Sequence, residues 1–141
     1  MNTAILTVLL KLAGLLHLGL MCAGLMMPRV VNMRAHLATL PEFIRRLFWV
    51  YYAFIGLCLM GFGCLTFIFA GELASGSALV RALCLFFASF WTLRLIAATF
   101  IFDLSPYLTN LYRRVGYHAL NLAFAYLPVV YLLAAWKGGG P

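Results

Sequence analysis

The sequence predicts an all-α integral membrane protein: four transmembrane helices in an up-down bundle, with both termini on the outer side of the membrane. Of its 141 residues, 66% are hydrophobic and only 9% are charged, whereas soluble domains are about half apolar and about a quarter charged. Four apolar stretches each exceed the roughly 20 residues that a helix needs to cross a bilayer. Short connections between consecutive stretches favour antiparallel neighbours.

The four predicted spans leave no room for a separate soluble domain, so residues 1–141 are predicted to form a single transmembrane domain. The spans cover about residues 4–27, 47–70, 78–102 and 115–136. A capping-box pattern, Thr39-Leu-Pro-Glu42, predicts that the second helix begins near Leu40. Residues 71–77 read as a tight turn, and residues 103–106 as the end of the third helix.

The distribution of positive charge predicts the orientation. The connections after the first and third spans carry six arginines, namely Arg29, Arg34, Arg45, Arg46, Arg113 and Arg114. The opposite side has Arg81 and Lys137, with Lys11 part-way into the first span. Because cytoplasmic loops are enriched in Lys and Arg, the arginine-rich side is predicted to be cytoplasmic, as in a bacterial inner membrane. The net charge of +7 then indicates topology and contact with anionic lipid, and not nucleic-acid binding.

Two spans carry small and polar residues at helical spacing, and these faces are expected to point into the bundle. The stripe on the first span is Lys11, Gly14, His17, Met21 and Gly24. The stripe on the fourth span is His118, Asn121, Ala125 and Pro128.

Arg94 stands near the centre of an apolar run, and its depth predicts a cluster with other polar residues. At about 1.5 Å per residue, Arg94 lies roughly 13 Å from the cytoplasmic side, His17 roughly 15 Å, Asn121 roughly 10 Å and His118 roughly 6 Å. These four residues are therefore the candidate cofactor-binding or ligand-binding site. No catalytic residue is predicted.

A buried arginine needs a partner, because it stays charged and its insertion costs at least about 2.5–3.5 kcal/mol. The chain has three acids, Glu42, Glu72 and Asp103, and all lie at predicted helix ends or in loops. One interpretation is that Arg94 snorkels to the interface. Another is a site for an anionic or electron-rich ligand: a haem propionate, a quinone, a lipid headgroup or an acidic residue of a partner subunit.

Haem b is the specific cofactor candidate, since His17 and His118 lie on different spans and imidazole is a common axial ligand. Their estimated depths differ by roughly 9 Å, which argues against both binding one iron. A metal ligand at His17 or His118 is therefore expected only if haem is bound, and the cofactor is otherwise undetermined.

The segment RVVNMRAHLATLPEF, residues 29–43, resembles the entrance to the second helix in the membrane-associated proteins of glutathione and eicosanoid metabolism (the MAPEG family). The stretch from Arg94 through SPYL to RRVG is loosely similar to that family's third helix and the turn after it. The resemblance implies a trimer of four-helix chains, with Arg34 and His36 at a glutathione-binding entrance and Arg94 facing an intersubunit site.

Three functions follow as hypotheses. The first is a non-enzymatic membrane subunit or binding module, in which the polar cluster meets a cofactor, lipid or partner helix. The alternative is a MAPEG-like glutathione-dependent enzyme, and a further alternative is a small oligomeric channel or anion carrier. The expected partners are the lipid bilayer and either other membrane subunits or further copies of this chain.

Overall fold

The computed structural model describes residues 2–102, 107 and 109–137, and this part of the chain is helical without strands. The helices are α1 (Thr3–Val30), α2 (Met33–Ala38), α3 (Glu42–Ile68), α4 (Ala70–Leu73), α5 (Ala78–Phe100) and α6 (Leu111–Lys137). By length and composition, α1, α3, α5 and α6 could each cross a membrane. The four predicted spans are thereby confirmed as long apolar helices.

Side-chain caps define the beginnings of two helices. Asn2 accepts a hydrogen bond from the amide of Ala4 at the start of α1, and Ser77 accepts one from the amide of Val80 at the start of α5. Such caps satisfy backbone amides that have no partner inside the helix.

The capping box predicted at residues 39–42 is wrong. The Thr39 hydroxyl donates instead to the carbonyl of His36, 2.9 Å away, and so satisfies the last turn of α2. The N-cap of α3 is Pro41, without a side-chain hydrogen bond, and α3 begins at Glu42. Thr39 bonds to α2 and not to α3 because the last turn of α2 has a free carbonyl within reach of its hydroxyl. Helix α2 was not predicted from the sequence.

The connection at residues 71–77 is partly helical. Its first residues belong to α4, and the chain then turns through Gly76, whose φ of 81° lies in the left-handed region that favours glycine. The predicted end of the third helix at residues 103–106 lies outside the described residues, and α5 ends before it, at Phe100.

The long helices pack as two hairpins, α1–α3 and α5–α6, which contact each other through α1 and α6. Helix α1 packs along α3 and also along α6, while α5 packs along α6. The helices within each pair are antiparallel: Gly24 contacts Tyr52 while Gly14 lies beside Phe67, and Trp91 stacks on Phe124 while Phe87 contacts Tyr131. The predicted antiparallel neighbours are thereby confirmed. Phe62 of α3 closes the bundle, because its ring contacts Phe86, Phe87 and Phe90 of α5.

A glycine pair brings α1 and α3 into close contact. A Cβ atom on Gly14 would lie 2.7 Å from the Cβ of Phe67, and one on Gly63 would lie 2.9 Å from the Cβ of His17. Atoms cannot approach so closely, so both positions require glycine at this helix separation. Small residues play this role in membrane bundles, where close backbone approach favours association.

The inward stripes are only partly as predicted. The buried residues of α1 are Leu6, Leu10, Ala13, Gly14, His17 and Leu20. The buried residues of α6 are Ala123, Phe124, Leu127, Pro128, Val130, Tyr131, Ala134 and Ala135. Lys11 and His118 are exposed, so the prediction that they face the interior is wrong. In α1, Leu10 takes the inward position, which leaves the neighbouring lysine outside the bundle.

Candidate functional site

His17 is fully buried near the middle of α1, and both of its ring nitrogens are engaged. Nδ1 lies 2.7 Å from the carbonyl oxygen of Ala13, one turn earlier in the helix. Nε2 lies 3.0 Å from the indole Nε1 of Trp91 on α5. A carbonyl can only accept and an indole N–H can only donate, so the imidazole is neutral, with its proton on Nδ1.

Aromatic rings fill the space around this histidine. Its ring centroid lies 5.0 Å from that of Trp91, 6.1 Å from that of Tyr131 and 6.4 Å from that of Phe62. The Tyr131 hydroxyl forms a 2.6 Å hydrogen bond with that of Thr66 on α3. Among the described residues, no buried side-chain nitrogen or oxygen lacks a hydrogen-bond partner. The polar groups of the core are thus satisfied within the chain.

The environment of the histidines gives haem binding no support. An iron ligand at His17 would need the Nε2 lone pair, which accepts the Trp91 hydrogen bond. His118 is exposed, seven residues into α6, with its ring beside that of Tyr117. In the described part of the chain, no group of three or more His, Cys, Asp or Glu side chains could hold a metal ion.

Arg94 lies on α5, six residues before its last residue, Phe100, and therefore about 9 Å along the helix from that end. The residue is exposed on the outside of the bundle. Its guanidinium carbon lies 5.0 Å from the ring centroid of Phe124 and 5.5 Å from that of Phe102. Both distances suit a cation–π contact. Asp103, the acid nearest to Arg94 along the chain, lies outside the described residues.

Two aromatic residues connect His17 with Arg94. Trp91, one helical turn before Arg94, reaches His17, and its ring stacks on that of Phe124 at a centroid distance of 5.7 Å. Phe124 in turn lies under the guanidinium of Arg94. Asn121, the fourth predicted site residue, is half-buried one turn before Phe124. Of the predicted cluster, His17 and Arg94 are therefore connected by a row of side chains running from the core to the surface, and not by one open pocket.

Neither Trp91 nor Phe124, which make these connections, was predicted from the sequence as a site residue. A signal for Trp91 was present, because residues three apart lie on the same side of a helix and Trp91 precedes Arg94 by three. Phe124 follows the predicted site residue Asn121 by three and had the same signal, but it is one of 12 phenylalanines in an apolar chain and did not stand out.

A second feature is a cavity of about 470 Å³, here called the interfacial groove. Its lining residues are Arg34, Leu37, Ala38, Arg45 and Trp49. The groove lies beside α2 and the first turns of α3, at the end of the bundle where α1 ends and α6 begins.

Comparisons with protein-family models, with curated proteins and with solved structures find no match for this chain. The resemblance to the MAPEG family therefore stays an interpretation of about a third of the sequence.

Proposed function

We propose that the protein is a non-enzymatic subunit of a membrane assembly, and that Arg94 binds an acidic side chain on a transmembrane helix of a partner protein. The observation that carries the proposal is an exposed arginine inside an apolar helix, with its guanidinium resting on the rings of Phe102 and Phe124. This arrangement holds the charge at the outer surface of the bundle, where another helix can contact it.

The energies favour a partner for this charge. An arginine at the centre of a spanning helix costs about 2.5–3.5 kcal/mol on insertion scales, and this is an upper value for Arg94, which lies about 9 Å from the end of α5. A cation–π contact stabilises the charge by about 0.5–2 kcal/mol, and it occupies the face of the guanidinium. The N–H groups at the edge need acceptors, and a carboxylate can accept two of them at once. A partner carboxylate would therefore offset the remaining cost.

In the part of the chain that the structure describes, the carboxylates lie at a helix start and in a short connecting helix, and not in the middle of a spanning helix, so a second copy of these residues does not bring one to Arg94. Glu42 begins α3 and is ion-paired with Arg46, and Glu72 lies in the short helix α4. Asp103 follows the end of α5 in the sequence. The acid that meets Arg94 is therefore proposed to belong to a different protein.

The test compares Arg94→Gln with Arg81→Gln after mild extraction from native membranes, using native mass spectrometry to measure the mass of the assembly. Arg81 is an exposed arginine near the start of the same helix and serves as the matched control. Wild type and Arg81→Gln should keep the partner, and Arg94→Gln should lose it. Arg94→Lys should retain the partner on a fraction of the molecules, since lysine keeps the positive charge but lacks the planar guanidinium that binds a carboxylate with two hydrogen bonds. A wild-type protein without a partner, or an Arg94→Gln variant that retains it, would refute the proposal.

We also propose a bacterial inner membrane as the location, with both termini outside. The antiparallel packing supports this, because it brings the end of α1, the helix α2 and the starts of α3 and α6 to the same end of the bundle. The arginine-rich connections therefore share one side, as the positive-inside rule requires of a cytoplasmic side.

The glutathione-dependent enzyme has one supporting observation, which is that Arg34 lines an open groove. Glutathione carries carboxylates that an arginine could bind. A glutathione conjugation assay with an aryl chloride tests this alternative, with Arg34→Ala compared with Arg81→Ala. Absence of activity in the wild type, or equal activity in both variants, would remove it.

A further inference from the structure

The interfacial groove is formed by a turn in the chain and a buried anchor. Asn32 adopts a left-handed backbone conformation, with φ 48° and ψ 42°, between α1 and α2. Asparagine tolerates this conformation better than most residues. Leu37 is buried and fastens α2 to the bundle. Arg45 and Trp49, one turn apart on α3, line the same groove.

Two positive charges belong to the groove. Arg34 comes from α2 and Arg45 from α3, whereas the neighbouring Arg46 is ion-paired with Glu42. Across residues 2–102, 107 and 109–137, the structure gives neither Arg34 nor Arg45 a carboxylate partner. Guanidinium groups match the geometry of phosphate oxygens and bind them with paired hydrogen bonds. The groove is therefore suited to a phosphate.

The remaining lining is apolar and carries a marker of the membrane interface. Leu37, Ala38 and Trp49 contribute apolar surface. The Trp49 ring packs edge-on against Phe48 at 5.6 Å and against Tyr52 at 5.8 Å. Aromatic groups of this kind lie at the level of the lipid headgroups. A ligand with a phosphate and an adjoining apolar part would use both halves of the lining, whereas free phosphate would use the arginines alone.

We propose that the interfacial groove is a binding site for an anionic phospholipid. Its phosphate would lie between Arg34 and Arg45, and its glycerol and upper acyl carbons would contact Leu37, Ala38 and Trp49. The volume of about 470 Å³ is within the range of about 300–1,000 Å³ that is usual for small-ligand sites. This proposal is independent of the role of Arg94, which lies on a different helix.

The experiment measures lipid retention by native mass spectrometry. Purified protein in detergent is titrated with phosphatidylglycerol and, separately, with zwitterionic phosphatidylcholine. Wild type should retain phosphatidylglycerol preferentially. Each arginine near an anionic headgroup contributes about fivefold in affinity, so Arg34→Gln/Arg45→Gln should lower phosphatidylglycerol binding about 25-fold. Arg34→Lys/Arg45→Lys should keep most of the preference, because both charges remain.

A charge-matched control distinguishes a site from general attraction. Arg29 and Arg114 are exposed arginines at the same end of the bundle and do not line the groove. Arg29→Gln/Arg114→Gln removes the same total charge and should lower binding no more than about twofold. Helix content by circular dichroism checks that every variant is folded. If the control variant loses as much lipid as the groove variant, the proposal is refuted.

Competition separates lipid from other anions. Phosphatidylglycerol bound to the wild type should persist in millimolar inorganic phosphate and in millimolar glutathione, because neither has the apolar part that the groove contacts. Displacement by inorganic phosphate would show a site for the free anion, and displacement by glutathione would favour the enzyme alternative. Either result would overturn the phospholipid proposal, as would equal retention of the two lipids.

Discussion

The hydrogen bond between His17 and Trp91 permits a direct test of whether the buried histidine holds the bundle together. His17→Leu places an apolar side chain of comparable size in the core and removes the acceptor of the indole N–H, whose nitrogen lies 3.0 Å from Nε2. Leaving a buried donor unpaired costs about 1–3 kcal/mol. We therefore expect the free energy of unfolding to fall by about 2 kcal/mol.

A double-mutant cycle isolates the hydrogen bond itself. Trp91→Phe removes the donor and also reduces ring packing against Phe124, so its own cost includes a packing contribution. In the double variant His17→Leu/Trp91→Phe, neither polar group remains. Hydrogen bonds between transmembrane helices average about 0.6 kcal/mol and reach about 1.7 kcal/mol. The double variant should therefore be more stable than the sum of the single effects by an amount in that range.

The assay is reversible unfolding in mixed detergent micelles, followed by far-ultraviolet circular dichroism so that the loss of a tryptophan does not alter the signal. Tyr126→Phe is the control, because its hydroxyl donates to the carbonyl of Leu9 in a separate contact between α6 and α1. The effects of Tyr126→Phe and His17→Leu on the free energy of unfolding should add to within about 0.3–0.5 kcal/mol. An equally additive result for the His17 and Trp91 pair would refute the reasoning. A visible absorption band that disappears in His17→Leu would instead show a bound cofactor.

The remaining predictions concern helix packing and orientation. Gly14→Ala should lower stability by about 1–3 kcal/mol, because the new Cβ would lie 2.7 Å from that of Phe67. Gly19→Ala, where nothing lies within 4 Å, should leave stability unchanged or raise it by up to about 1 kcal/mol, because alanine favours the helix more than glycine does. Equal losses in the two variants would contradict the close contact of α1 and α3. A cysteine at Ser75 should react with a membrane-impermeant maleimide in intact cells, and one at Thr109 only after permeabilisation. The opposite pattern would reverse the proposed orientation.

The sequence alone determined the number and approximate bounds of the long helices and which of them are neighbours. Hydropathy accumulates residue by residue along a span, so about 20 apolar residues predict a membrane helix without knowledge of its contacts. Short connections then predict the hairpins. The same local reasoning identified His17 and Arg94 as unusual, because a polar group in an apolar run needs a partner wherever the helix lies.

The identity of those partners depends on how the helices pack in three dimensions. The rotation of each helix about its axis depends on how whole surfaces fit, and a small rotation decides whether Leu10 or Lys11 faces inward. The close approach at Gly14 and Gly63 sets that rotation for α1, and it brings His17 opposite Trp91. Contacts between residues more than 70 positions apart carry no local sequence signal. The interfacial groove likewise depends on the turn at Asn32, which hydrophobic periodicity does not reveal. The residues that line the groove come from α2 and α3, and the separation of these two helices is set by packing.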